Sequence, residues 1–362
     1  MPTIRAAVCH EFGAPLSIEE LHLAPPGPGE VEVTLSACAI CHSDISYAEG
    51  AWGGALPAVY GHEAAGRVSA VGAGVTAFTP GQAVVVTLIR ACGTCRSCAS
   101  GAPVVCADPH QIAEGPLTTL DGRPVDQAMN CGAFAERVVV HTSQLAPIPD
   151  DTPMASAALL ACGVITGIGA VVNTADVRAG QTVVVIGAGG VGLNAVQGAR
   201  IAGAAHVVAV DMSPQKLEMA RAFGATGAVL ATGDKPWHEV KALCGGRGAD
   251  AVIVTAGVIP AYDTAARYLA PLGRVVMVGM PHSGAMASYE PVVYAALGQG
   301  MIGSKMGDSV VARDIPWMVE LYRQGRLKLD ELVSGRWRLE DINDAIADTN
   351  SGMARRNVVV FE

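Results

Sequence analysis

The apolar positions change rhythm along the chain. Over residues 1–163 they fall in short runs, at 31–35, 66–71, 83–88 and 137–140, broken by turn-forming stretches at 25–29 and 79–81. Val-rich runs bounded by Gly and Pro predict strands, and this part reads as a mostly antiparallel β domain with irregular loops. Over 164–303, strand-like runs at 182–186, 207–210, 251–254 and 274–278 alternate with helix-length segments, among them 191–202 and 214–223. That alternation predicts βαβ units and a doubly wound parallel sheet. Handedness and short connections leave few topologies for it. Residues 304–362 predict helices at 315–324 and 340–350 and a strand at 357–361, a tail expected to return to the first part. The fold class is therefore α/β.

Composition narrows the picture. A chain of 362 residues suggests about two domains. With 51% hydrophobic and 16% charged residues it is a folded chain rather than a disordered one. The net charge is -9 with no run of Lys or Arg, which argues against a nucleic-acid surface or an anionic membrane. No apolar run reaches the roughly 18 residues of a membrane span. The first ten residues lack a basic stretch leading into an apolar one, so a cytoplasmic location is expected. Ten cysteines in a reducing compartment then read better as metal ligands than as disulfides.

Two motifs carry chemistry by themselves. Gly187, Gly189, Gly190, Val191 and Gly192 form a G-x-G-x-x-G turn between an apolar run and a helix-length segment, and Asp211 ends the next apolar run. That context is the dinucleotide fingerprint: glycines let the backbone approach a pyrophosphate, and the helix N-terminus offers N–H groups to it. A carboxylate at 211 would accept from a free ribose and repel a 2′-phosphate, favouring NAD over NADP. The competing readings are a glycine turn of another α/β fold and Asp211 as the N-cap of the helix opening at Ser213-Pro214. The second motif is Cys92, Cys95, Cys98 and Cys106, spaced C-x2-C-x2-C-x7-C. Four thiolates in a short loop suit a closed, structural zinc site; an iron–sulfur cluster also uses closely spaced cysteines. Cys41, His62 and Cys162 are each compatible with ordinary core or structural roles, and spacing alone does not join them.

The ordered set does. The C-H-S-D at Cys41–Asp44, the G-H-E at Gly61–Glu63, the four-cysteine loop, the A-C-G ending at Gly163, and the glycine motif with Asp211 together resemble the medium-chain, zinc-containing alcohol dehydrogenases. The long stretch between Cys106 and Phe134 and the sequence of 211–226 resemble the animal-type and glutathione-dependent formaldehyde dehydrogenase branches. The resemblance implies a GroES-like, mostly β catalytic domain (1–163 and 304–362) and a Rossmann NAD-binding domain (164–303). It implies two zinc ions per subunit, one held by Cys41, His62 and Cys162 with an open fourth place, the other by the four-cysteine loop. Glu63 and Asp44 would support the ligands, and Ser43 would take the substrate proton. His42, Lys216 and Arg356 would lie near the cofactor. Where many relatives carry a proton-passing His, this chain has Ser46. Trp52, Leu88, Phe134 and Met280 fall near positions that line the substrate pocket in relatives, implying a hydrophobic alcohol or aldehyde. The implied enzyme is an NAD-dependent oxidoreductase acting on a small-molecule alcohol, and a homodimer. A thiol-adduct oxidase, a non-catalytic NAD-binding relative and a structural zinc protein are the alternatives.

Overall fold

The computed structural model describes residues 2–108 and 115–361. Part of the long stretch between Cys106 and Phe134, namely 109–114, lies outside the described residues. The chain divides into two compact units, Met1–Cys162 with Val310–Glu362, and Gly163–Ser309.

The first unit is built on β-structure. A seven-stranded sheet runs in the order Leu145–Pro147, Ala83–Thr87, Glu63–Val71, Glu30–Ala39, Arg356–Val360, Val333–Trp337, and Arg137–His141 also pairs with Glu30–Ala39. All pairings are antiparallel except that of the last two strands, so Arg356–Val360 is an interior strand bonded on both sides. Five short strands, Thr3–Cys9, Ser17–Leu23, Leu117–Thr119, Pro124–Gln127 and Ala58–Val59, close into a barrel. Leu21, Leu23, Ile40, Leu117 and Phe134 are among the large side chains fully buried in the shared core of this unit. Ala83–Thr87 is buried at all five positions, which is why it reads in sequence as an unbroken apolar run. The barrel strands escaped the apolar pattern because most are two to four residues long or carry charges on an exposed face, as in Ser17–Leu23.

The second unit is a six-stranded, wholly parallel sheet. Its order is Gly227–Leu230, His206–Asp211, Thr182–Ile186, Ala249–Val254, Leu269–Met277, Gly300–Gly303. In chain order this is 3-2-1-4-5-6, the arrangement of dinucleotide-binding sheets. Thr182–Ile186 is completely buried, as a central parallel strand covered on both faces must be. The strand order reverses beside it, so the carboxyl end of this strand is where such folds bind ligands. The glycine motif sits there, and helix Gly190–Ile201 follows. The expected helix at 315–324 begins earlier, at Val311, and the one at 340–350 divides into a 3-10 turn Leu339–Asp341 and an α-helix Ile342–Asn350. Helix Gly163–Gly169 and the π-turn Ala170–Thr174 had no amphipathic signature because the helix is buried all round. Among the described residues, no single helix is long and apolar enough to cross a membrane.

Candidate active site

One buried carboxylate organises the first cluster. Cys41 ends strand Glu30–Ala39's extension and is the N-cap of helix His42–Ala48. Asp44, 2% exposed, turns back to accept the Cys41 N–H through Oδ2 at 3.0 Å. Its Oδ1 accepts the Gly61 N–H at 3.0 Å and faces His62 Nδ1 at 2.8 Å. Gly61 has φ +93°, and a Cβ there would lie 2.6 Å from the Phe134 nitrogen, so only glycine brings the chain into His62 along this path. His62 is fully buried, and among the described residues its Nε2 has no hydrogen-bond partner. A carboxylate on Nδ1 fixes the proton there and turns the Nε2 lone pair toward the cluster.

Cys162 follows the 3-10 turn Leu159–Ala161. The ligand atoms of Cys41, His62, Glu63 and Cys162 all lie within 4.8 Å of one another, and all four residues are buried. The Cys41 thiol is pulled well below its ordinary range by its hydrogen bond with Cys162, with His62 and Arg356 acting the same way against burial. Cys162 is pushed up by the same bond and by burial. Burial raises the Glu63 carboxyl to about 7 even though Arg356 opposes it. Arg356, 6% exposed, donates through Nη2 to Glu63 Oε1, and among the described residues its Nε has no partner. Two sulfurs and an imidazole nitrogen with an unused lone pair suit a borderline-soft divalent ion such as zinc.

The second cluster is the four-cysteine loop. The Sγ atoms of Cys92, Cys95, Cys98 and Cys106 also lie within 4.8 Å of one another, with Cys92–Cys98 at 4.0 Å and Cys95–Cys106 at 3.9 Å. A tetrahedron with Zn–S bonds near 2.3 Å has edges of about 3.8 Å. Backbone N–H groups of Cys95, Cys98 and Cys92 point at the sulfurs of Cys92, Cys95 and Cys106. The one from Cys98 is the main reason the Cys95 thiol is held down to about 6.

The glycine turn of the second unit has three different demands. Gly187 adopts φ +96°, and a Cβ on Gly192 would lie 1.9 Å from the Gly187 carbonyl oxygen. A Cβ on Gly189 would meet nothing within 4 Å, so that glycine leaves open space at the N-cap of Gly190–Ile201. Asp211 accepts the Ala188 N–H through Oδ2 at 2.7 Å and the Ser213 N–H through Oδ1 at 2.9 Å. The N-cap of helix Pro214–Ala222 is Ser213, whose hydroxyl accepts from Lys216. The capping role open to Asp211 therefore belongs to its neighbour.

The remaining sequence-derived positions are placed unevenly. His42 is exposed and Ser43 half-buried in the first turn of His42–Ala48, with half-buried Ser46 one turn on. Trp52 is half-buried and packs edge-on against Tyr47, ring centroids 5.0 Å apart. Leu88 and Lys216 are half-buried, Phe134 lies in the core at 1% exposure, and Met280 is 59% exposed. The pairing of Arg356 with Glu63, 293 positions apart, had no sequence signal.

Residues 27–150 match the alcohol dehydrogenase GroES-like domain, and residues 190–324 match the zinc-binding dehydrogenase domain. The chain belongs to the medium-chain zinc-binding alcohol dehydrogenase family. Within that family it is 38% identical to a Mycobacterium tuberculosis protein provisionally designated alcohol dehydrogenase D, over 98% of this chain and 99% of the relative. It is 36% identical to S-(hydroxymethyl)glutathione dehydrogenase of Escherichia coli, over 99% of each chain. Benzyl alcohol dehydrogenase of Acinetobacter calcoaceticus has the same fold, with a TM-score of 0.93 and 27% identity over the whole of both chains. The fold is thus the GroES-like catalytic domain with a Rossmann-type domain, and the protein is an alcohol dehydrogenase-type, zinc-dependent oxidoreductase.

Proposed function

We propose that this dehydrogenase transfers hydride reversibly between a primary or secondary hydrophobic alcohol and NAD, with two zinc ions per subunit. The observation that carries the reading is the buried His62 Nε2, without a hydrogen-bond partner among the described residues, grouped with the thiols of Cys41 and Cys162. In this reading those three residues hold the catalytic ion, Cys92, Cys95, Cys98 and Cys106 hold a structural one, and catalytic and nucleotide parts span 1–163 with 304–362 and 164–303.

Zinc bound at the first cluster supplies a Lewis acid that makes an alcohol proton easier to remove. The chain's own residues do the rest. Asp44 keeps His62 in the tautomer that leaves Nε2 free. Arg356 compensates the charge of the buried Glu63. Ser43 accepts the alcohol proton, and because Ser46 stands where many relatives carry a proton-passing His, the proton leaves through water. The open space at Gly189 receives the pyrophosphate, and Asp211 takes the ribose hydroxyls, which favours NAD. The glycine turn Gly187, Gly190, Val191 and Gly192 and Lys216 belong with them, and the resemblance assigns His42 and Arg356 to the cofactor as well. The apolar character of Trp52, Leu88, Phe134 and Met280, positions that the family resemblance assigns to the substrate, favours a hydrophobic alcohol, in keeping with a fold neighbour named for benzyl alcohol.

The length of 106–134 and the Escherichia coli relative support a place in the animal-type and glutathione-dependent branch. A homodimer in the cytoplasm is the expected state. Helix Pro291–Leu297 has no buried residue, strand Gly300–Gly303 is a sheet edge with Met301 and Ile302 exposed, and Glu290 is the only charge across 284–303. Such a surface suits a second copy.

Absorbance at 340 nm with zinc-loaded protein, NAD or NADP, and aliphatic, allylic and benzylic alcohols tests the reading, with Cys41→Ser as control. NADH formed with NAD and lost in the control supports it. Activity with NADP alone overturns the role of Asp211. Silence despite two bound zinc ions and tight NADH binding points to a thiol-adduct substrate, and silence without NADH binding sinks the proposal.

A further inference from the structure

Cys41 and His62 are both tied to Asp44, and Cys162 joins the cluster from a different segment, after the turn Leu159–Ala161. Its backbone is neither helical nor extended, with φ −145° and ψ −67°, and the short turn before it ends in a buried carbonyl. That carbonyl, of Ala161, accepts a 2.6 Å hydrogen bond from Thr87 Oγ1. Both residues are fully buried, so water does not compete for the bond. Thr87 stands directly across the sheet from Glu63, so the two side chains share a face, and Glu63 belongs to the cluster that contains Cys162.

We infer that Thr87 is the positioning residue of Cys162, an inference that rests on the proposed role of Cys162 as a zinc ligand. The peptide joining Ala161 to Cys162 is a rigid plane, so fixing the Ala161 oxygen fixes the Cys162 nitrogen and limits where its Cα–Cβ bond can point. A β-branched side chain is stiff about χ1, which makes the hydroxyl a fixed anchor. Without the donor, the Ala161 oxygen loses this buried bond, and the plane is freer to turn. The thiolate then leaves the direction that suits a tetrahedral ion. Asp44 sets the two ligands from the early part of the chain, and Thr87 sets the third.

The test compares Thr87→Val, which keeps shape and loses the donor, with Thr87→Ser, which keeps the donor. Zinc release to a chromogenic chelator is timed, and the cobalt-substituted proteins are examined for their thiolate-to-metal and d–d bands. The parent should hold two zinc ions, one of which survives Cys41→Ser. Thr87→Val should release one ion roughly tenfold to a hundredfold faster, the scale at which groups behind a ligand act, and shift the cobalt bands. Thr87→Ser should match the parent, and the ion of the four-cysteine loop should be unaffected. Unchanged release and unchanged bands in a folded Thr87→Val protein overturn the inference. If circular dichroism shows that variant unfolded, Thr87→Ala, which introduces no methyl group against the Ala161 oxygen, is judged by the same criteria. A parent that holds only one zinc, lost on Cys92→Ser, defeats the underlying reading of Cys162 instead, whatever Thr87 does.

Discussion

Two glycines five residues or fewer from Gly187 should respond to the same added methyl group in opposite ways. In Gly192→Ala the new Cβ would lie 1.9 Å from the Gly187 carbonyl oxygen, a backbone atom that cannot swing aside. Overpacking of this kind costs about 1–3 kcal/mol, and a rigid backbone neighbour puts it at or beyond the upper end. Alanine regains about 1 kcal/mol over glycine inside a helix, leaving a net loss of about 2 kcal/mol. At about 2–4 °C per kcal/mol for a unit of this size, the melting transition should fall by about 4–8 °C. In Gly189→Ala the Cβ meets no protein atom, and the loss is confined to a poorer N-cap residue, about 0.5–1 kcal/mol. Yet that methyl enters the space assigned to the pyrophosphate, and NADH affinity should drop at least tenfold, about 1.4 kcal/mol. Differential scanning fluorimetry and NADH fluorescence titration read the two quantities separately. Parent-like NADH affinity in Gly189→Ala would refute the turn as the pyrophosphate seat. A parent-like melting curve in Gly192→Ala would refute the packing argument.

Other perturbations follow from the same geometry. Asp44→Ala strands the Cys41 and Gly61 N–H groups and frees the His62 ring, so zinc affinity at the first cluster should fall tenfold or more, with Asp44→Asn milder; metal analysis by mass spectrometry at graded chelator reads this. Cys92→Ser should reduce bound zinc from two to one per chain and lower the melting temperature while NADH still binds. Arg356→Ala leaves Glu63 buried without its partner, a loss of about 3–5 kcal/mol in urea unfolding, whereas an effect below 1 kcal/mol would mean the pair is dispensable. Ile302→Asp should convert a particle of twice the 36.9 kDa chain mass into one of that mass in light scattering.

The legibility of this chain from sequence tracks how far apart the cooperating residues lie. The parallel sheet was readable because strands such as Thr182–Ile186, buried on both faces, leave apolar runs that alternate with helices. The short barrel strands, and Gly227–Leu230 and Gly300–Gly303 in the parallel sheet, leave runs too brief to register. The four-cysteine loop announced itself because its residues are sequence neighbours. Cys41, His62 and Cys162 could be grouped only by resemblance, and the structure ties the first two to one carboxylate and brings all three ligand atoms within 4.8 Å of one another. Thr87 and the contact of Arg356 with Glu63 were invisible, since neither a buried threonine in a strand nor an arginine in a tail carries a pattern.

Strand Arg356–Val360 sits inside the seven-stranded sheet, bonded to Glu30–Ala39 on one side and Val333–Trp337 on the other. This gives the protein an order of assembly that runs against its order of synthesis. The parallel-sheet unit is contiguous in the chain and has all its strands as soon as residue 309 has emerged. The first unit must wait for a strand made some three hundred residues later, which also brings Arg356 to its ion pair with Glu63. The middle of the chain is therefore free to fold on the ribosome while its beginning remains unfinished.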